Sequence, residues 1–155
     1  MKSLIVLHSY HHNNTQKVAE VISRIINAEI KPATEITETY LHDFNLIGFG
    51  AGIDSGKHYK ELLEFVKTIS LVENKPCFIF STSAVQGERK VYKDHTAVRN
   101  LLLEKGYNVL GEFSCKGFNT NLFLKYFGGM NKNRPNIDDL RNAEEFAKNI
   151  LQNWI

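Results

Sequence analysis

The sequence predicts an α/β domain: a parallel sheet with helices packed on both faces. Three observations carry this. Short continuous apolar runs recur, as strands buried on both faces require. They stand at residues 4–7 (Leu-Ile-Val-Leu), 44–50 (Phe-Asn-Leu-Ile-Gly-Phe-Gly) and 77–80 (Cys-Phe-Ile-Phe). Helical stripes alternate with these runs, and that alternation is the mark of the class. No repeat, low-complexity tract or linker interrupts the pattern, so residues 1–155 read as a single domain.

Each element has a local reason. After the first strand, Val18, Val21, Ile22, Ile25 and Ile26 form one helical stripe. Asn13, Asn14 and Thr15 precede it and are competent caps. A weak strand is expected over 28–31, stopped by Pro32, and 33–43 is a loop or a short helix. The 44–50 strand ends in glycine, and 50–56 (Gly-Ala-Gly-Ile-Asp-Ser-Gly) reads as a glycine-rich loop. Tyr59, Leu62, Leu63, Val66 and Ile69 mark the next helix; Val98, Leu101 and Leu102 mark another, ending near Gly106. Residues 107–113 are the last strand. A long polar and aromatic stretch, 114–136, leads to a closing helix on Leu140, Ala143, Phe146, Ala147, Ile150, Leu151 and Trp154.

Composition narrows the function classes. The net charge of +2, from nineteen basic and seventeen acidic residues, does not demand a nucleic-acid partner. The aromatics Phe118, Phe123, Tyr126 and Phe127 read as loop packing rather than a base-stacking platform. No apolar run approaches the ~20 residues of a membrane helix, so no membrane partner is expected. The N-terminal apolar stretch is too short for a signal peptide, and the protein reads as cytoplasmic. Cys77 and Cys115 are far apart and read as reduced structural thiols. The histidines at 8, 11 and 12 lack metal-ligand spacing, so no metal is expected.

In a parallel α/β sheet, ligands bind beyond the carboxyl ends of the strands. The loops to weigh are therefore 8–15, 50–58, 81–87 and 114–118. The first is polar throughout: Ser9, His11, His12, Asn13, Asn14 and Thr15 lead into a helix N-terminus, whose amides and dipole favour a phosphate. It is neither a Walker loop nor a dinucleotide fingerprint, having no glycine. No carboxylate lies within residues 1–19 or 113–137. The glycines of the second loop, around Ala51, Gly52 and Ile53, suit close approach to a flat ligand. Ser81, Thr82 and Ser83 open the third loop. No nucleophile elbow or carboxylate pair is present, which suits a bound cofactor that carries its own chemistry.

Four segments resemble the flavodoxin family: LIVLHSYHHNNTQKVAEVI, FNLIGFGAGIDSGKHYKELLEFV, FIFSTSA, and FSCKGFNTNLF with GGMNKNRPNIDDLRNAEEFA. The resemblance implies a doubly wound five-stranded parallel sheet in the order 2-1-3-4-5, holding FMN. It assigns the phosphate to the loop with Ser9, His11, His12, Asn13, Asn14 and Thr15. It assigns the flavin ring to the loops with Ala51, Gly52 and Ile53 and with Ser81, Thr82 and Ser83, with Cys115, Lys116 and Gly117 nearby. Of the family's Ser/Thr-x-Thr-Gly-x-Thr pattern only the final residue, Thr15, is kept. Tyr59 or Tyr92 stands in for the usual flanking aromatics, and Lys57, His58 and Lys116 are the expected cations near the ring. The implied function is electron transfer to a redox protein partner, as a monomer or weak dimer. Alternatives are an NAD(P)H-dependent FMN reductase of quinones or similar acceptors, and an interaction module of the same fold without FMN.

Overall fold

The computed structural model describes residues 1–9, 13–117 and 132–155. Among the described residues six strands and five α-helices follow one another: β1 (Ser3–His8), α1 (Asn14–Ile26), β2 (Ala28–Pro32), β3 (Leu46–Asp54), β4 (Lys57–His58), α2 (Lys60–Thr68), β5 (Lys75–Ser83), α3 (Glu88–Asp94), α4 (Thr96–Glu104), β6 (Tyr107–Lys116) and α5 (Ile137–Trp154). Two 3-10 turns, Ala33–Glu35 and Glu38–Asp43, fill the segment the pattern left open. The sheet order is β2-β1-β3-β5-β6, with the two-residue β4 antiparallel to the end of β3. Counting the five parallel strands alone, this is the expected 2-1-3-4-5.

Alternation along each strand divides the core. Leu4 and Val6 of β1 and Cys77 and Ile79 of β5 face α2 and α4, where Leu62, Val66, Val98 and Leu102 are buried with them. Ile5, Leu7, Phe78 and Phe80 face the opposite way, against Val18 and Ile22 of α1 and Ala143, Ala147 and Ile150 of α5. Each strand residue thus buries against one helical layer or the other, which is why the strands read as unbroken apolar runs. The closing helix starts at a capping box: the Asn136 side chain accepts from the Asp139 amide and the Asp139 carboxylate accepts from Asn136 N–H. Among the described residues, no helix is long and apolar enough to cross a membrane.

Three strands run further than the apolar pattern suggests. β3 continues through the expected glycine loop to Asp54, β5 takes in Ser81, Thr82 and Ser83, and β6 takes in Cys115 and Lys116. The glycines of β3 answer to its neighbour. Gly48 lies opposite Phe78 and Gly50 opposite Phe80. A Cβ would stand 2.2 Å from the Phe78 ring and 2.1 Å from the Phe80 ring, so only glycine leaves room for the two side chains. The chain turns back only after Asp54. Ser55 and Gly56 have positive φ of 53° and 79°, as a two-residue hairpin turn of the primed kind needs. Helix α3 escapes the sequence pattern because it has no apolar stripe; its buried residue is Asp94.

Gly50→Ala should therefore destabilise the fold by about 1–3 kcal/mol through overpacking. Urea denaturation measures this, and adding Phe80→Leu to the same chain should recover part of the loss. A Gly50→Ala variant as stable as the parent would show that the ring can yield.

Candidate functional site

Because β1, β3, β5 and β6 are parallel, their carboxyl ends share one edge, and α1 begins there. Asn13 precedes α1 in the left-handed conformation, with φ 53°. The helix has no acidic residue in its first turn. Ser9 Oγ accepts the Gln16 amide at 3.2 Å. That bond uses a lone pair and leaves the Ser9 hydroxyl proton to be donated. His11 and His12 lie outside the described residues.

Tertiary structure joins this loop to the ends of β5 and β6. The hydroxyls of buried Thr15 and Thr82 are 2.8 Å apart. Gly117 lies against Asn14: a Cβ there would come within 2.6 Å of Asn14 Nδ2. The Gly117 amide donates to the Ser83 carbonyl at 3.0 Å, and Lys116 stands opposite Ser83 in the ladder. Ser83 Oγ donates to the Val85 carbonyl at 2.8 Å and accepts from Gln86 Nε2 at 2.6 Å. On the other side, Gly52 opposes Thr82, and Ile53 pairs with His58 across the hairpin. Tyr59 covers Gly52, where a Cβ would meet its ring at 2.6 Å, and sits edge-on to His8 at 5.7 Å. Asn14, Thr15, Gly52, Thr82, Ser83, Lys116 and Gly117 are thus drawn from four elements to one edge.

Other expected residues are placed inward. Ala51 belongs to the core under α2 and α4. Cys115 belongs to the core under α1 and α5, and burial pushes its thiol up to about 12, so it is a packing residue. Tyr92 is exposed, with the Arg99 guanidinium 4.2 Å over its ring. His58, expected as a surface cation, is buried. Its Nε2 lies 3.0 Å from the Phe80 carbonyl and its ring is 4.8 Å from that of His95. Burial, then the neighbouring His95, pushes its pKa down to about 3, so it is uncharged at neutral pH. Arg134, in the acid-free stretch, forms a two-point pair with Asp139. Burial raises the Asp139 pKa, but Arg134 and the Asn136 amide outweigh it and hold the carboxyl below its ordinary value.

Ser81 is fully buried and enters a polar chain that sequence spacing did not reveal. Its Oγ is 2.7 Å from His95 Nε2 and 2.8 Å from Ser114 Oγ. His95 Nδ1 is 2.9 Å from Glu112 Oε1, and Arg99 grips Glu112 through Nε at 2.8 Å and Nη2 at 2.7 Å. Gln86 Nε2 reaches Ser114 Oγ at 3.0 Å. Burial pushes the Glu112 carboxyl up, but the hydrogen bonds from His95 and Arg99 prevail and hold it at about 2. These residues come from β5, the segment after it, the turn joining α3 to α4, α4 itself and β6; their trace in the sequence is polar residues scattered among otherwise apolar elements.

A profile of the flavodoxin domain matches residues 5–149. The chain belongs to the flavodoxin-domain family. An uncharacterized protein of Methanocaldococcus jannaschii is 44% identical over 153 residues, covering 99% of this chain and all of that one. Among solved structures, oxidised flavodoxin 2 from Bacillus cereus superposes with a TM-score of 0.74 at 15% identity, covering 98% of this chain and 99% of that one. A flavodoxin from the domain Archaea superposes with a TM-score of 0.64 at 16% identity, covering 99% of both chains. At such identities these two establish the shared fold. Within this family the carboxyl edge of the sheet is where the chemistry of this chain's residues is to be tested.

The acid sensitivity of the flavodoxin domain should run partly through Glu112. Its folded pKa is depressed from 4.5 to about 2, so its contribution is present above the unfolded value and is lost as pH falls through the folded one. Glu112→Gln should lower stability at neutral pH and flatten the stability profile between pH 4.5 and about 2. Chemical denaturation at a series of pH values reads this out; parallel profiles for parent and variant would contradict it.

Proposed function

We propose that the chain is an FMN-binding electron-transfer protein that exchanges electrons with a redox protein partner. The supporting observation is the donor set at the carboxyl edge: a helix N-terminus without acid, flanked by Ser9, Asn13, Asn14 and Thr15. Hydroxyls, amides and backbone N–H groups without a carboxylate suit a phosphate dianion. These residues fit the FMN phosphate, with His11 and His12 in the same loop. The flavin ring is assigned to the edge formed by Gly52, Ile53, Thr82, Ser83, Lys116 and Gly117, with Tyr59 beside Gly52. Bound FMN supplies the one-electron chemistry. The protein's own part is to hold the phosphate, to exclude water from one side of the ring, and to set the local charge. His58 adds nothing to that charge, because burial keeps it neutral; Lys57, exposed in the hairpin, and Lys116 remain.

Titrating the apoprotein with FMN and with riboflavin tests the assignment. FMN should bind much more tightly, since only it carries a phosphate. Loss of one hydrogen bond to a charged group costs about 1.5–3 kcal/mol. Ser9→Ala and Thr15→Ala should then each weaken FMN by about tenfold to a hundredfold and leave riboflavin affinity little changed. Equal affinity of the parent for both flavins would refute the phosphate site.

A further inference from the structure

Beyond Gly52, Ile53, Thr82 and Ser83 the chain continues into two outer pieces, the turn of the β3–β4 hairpin and helix α3. The two meet: a Cβ on Gly56 would stand 4.0 Å from Asp94 Oδ1. Asp94 is buried there, and Lys90 neutralises it at 2.6 Å. The charge left on this flank is mainly cationic. Lys57 is exposed in the hairpin, and the exposed Arg89 and Lys93, four residues apart, share one side of α3. Lys116, half-buried, ends β6 opposite Ser83. None of these four enters a salt bridge among the described residues. Asp54 and Glu88 are the acids exposed beside them. Of nineteen basic and seventeen acidic residues, four cations and two acids here leave equal numbers elsewhere, so the formal surplus of the chain sits on this flank.

The same flank carries apolar area. Val85 is 49% exposed and Tyr92 65% exposed, with the Arg99 guanidinium over the Tyr92 ring. Exposed aromatic and aliphatic side chains set among arginine and lysine suit a protein partner: the apolar groups supply contact area, and the charges steer and orient the encounter. A nucleic acid would be held through its phosphates. Val85 and Tyr92 offer nothing to a phosphate, and Asp54 and Glu88 repel one. We propose that the hairpin and α3 form the docking surface for an acidic redox protein, whose carboxylates face Lys57, Arg89 and Lys93. The proposal rests on the FMN reading, because these residues flank the edge assigned to the flavin ring and a partner seated on them covers that edge.

Two experiments test it, and the first needs no cofactor. In the apoprotein at low salt, the redox-inert paramagnetic anion hexacyanochromate(III) should broaden the amide NMR signals of residues 55–57 and 89–93 first, while hexaamminechromium(III) should leave them sharp. In the reduced holoprotein, ferricyanide and hexaammineruthenium(III) each take one electron, and their opposite charges read the local sign. From about 10 mM to about 1 M salt the Debye length shrinks from about 30 Å to about 3 Å. The ferricyanide rate should fall by about tenfold over that range, since salt screens the steering of an anion by a cationic surface. The rate with the ruthenium cation should rise. Arg89→Glu with Lys93→Glu should reverse both slopes and leave FMN affinity unchanged, a pair of readouts that a misfolded variant would not give. Lys2→Glu with Arg24→Glu makes the same charge change at the opposite end of the sheet, before β1 and in the last turn of α1, and should do much less. Broadening centred elsewhere, or two double variants that act alike, overturns the proposal. A DNA duplex that binds the parent and is lost by Arg89→Glu with Lys93→Glu overturns it in favour of nucleic acid. A parent that binds no FMN refutes the cofactor reading and with it the redox partner; a parent that binds FMN but shows no charge-dependent slope refutes the docking surface alone.

Discussion

The structure depends on the middle of one face of β3, where Gly48, Gly50 and Gly52 carry no side chains. Gly48 and Gly50 lie directly opposite Phe78 and Phe80, and the rings occupy the space a Cβ would need. The two rings lie 6.1 Å apart in a stacked arrangement, and Phe78 meets Phe146 of α5 edge-on at 5.9 Å. Phe113 of β6 lies against the same Phe146 at 5.5 Å. The central strand, its neighbour, the edge strand and the closing helix are thus locked through one aromatic cluster. A side chain on β3 would push β5 off its register, and register is what a strand has least freedom to change, since a slip of one residue exchanges its two faces.

That register in turn places the polar groups. With Gly50 opposite Phe80, Ala51 falls opposite Ser81 and Gly52 opposite Thr82; the next ladder sets Ser114 beside Ser81 and Lys116 beside Ser83. The hydroxyls of β5 therefore emerge into two different surroundings. Thr82 points toward α1 and meets Thr15, while Ser81 points toward α4 and meets His95. The polar end of the sheet is buried on one side and serves the loops on the other. Burying the Ser81 chain is tolerable because its members are hydrogen-bonded to one another, and it terminates in the charged Glu112–Arg99 pair instead of an empty lone pair.

The elements legible in the sequence were those whose residues bury themselves. The 4–7 and 77–80 runs and the stripes of α1, α2, α4 and α5 lie where their patterns put them, because a buried strand or an amphipathic helix needs little beyond its own residues. The sheet order followed from resemblance to the family and is the order observed. Strand ends were not legible. Apart from Ile53, residues 51–54, 81–83 and 114–116 are polar, charged or small, and read as loops. They are strand because neighbouring backbones supply ladder partners there, a reason that no local pattern records. Gly50 and Gly52 of β3 read as room for a flat ligand; Gly50 is room for Phe80, and Gly52 lies under Tyr59.

By itself, the sequence determined the α/β class, the alternation of strands and helices, and the acid-free polar stretch before α1, because these follow from side-chain polarity and spacing along one chain. Tertiary structure alone decided which polar residues face outward at the carboxyl edge and which are drawn inside. Ser81 and Ser83 are two residues apart on one strand, yet Ser81 is locked to His95 and Glu112 while Ser83 holds Gly117 and Gln86. Nothing in their neighbourhood along the chain separates them. The difference comes from residues far off in sequence, His95 in the turn joining α3 to α4 and Ser114 of β6, whose side chains reach Ser81 only after the sheet has closed.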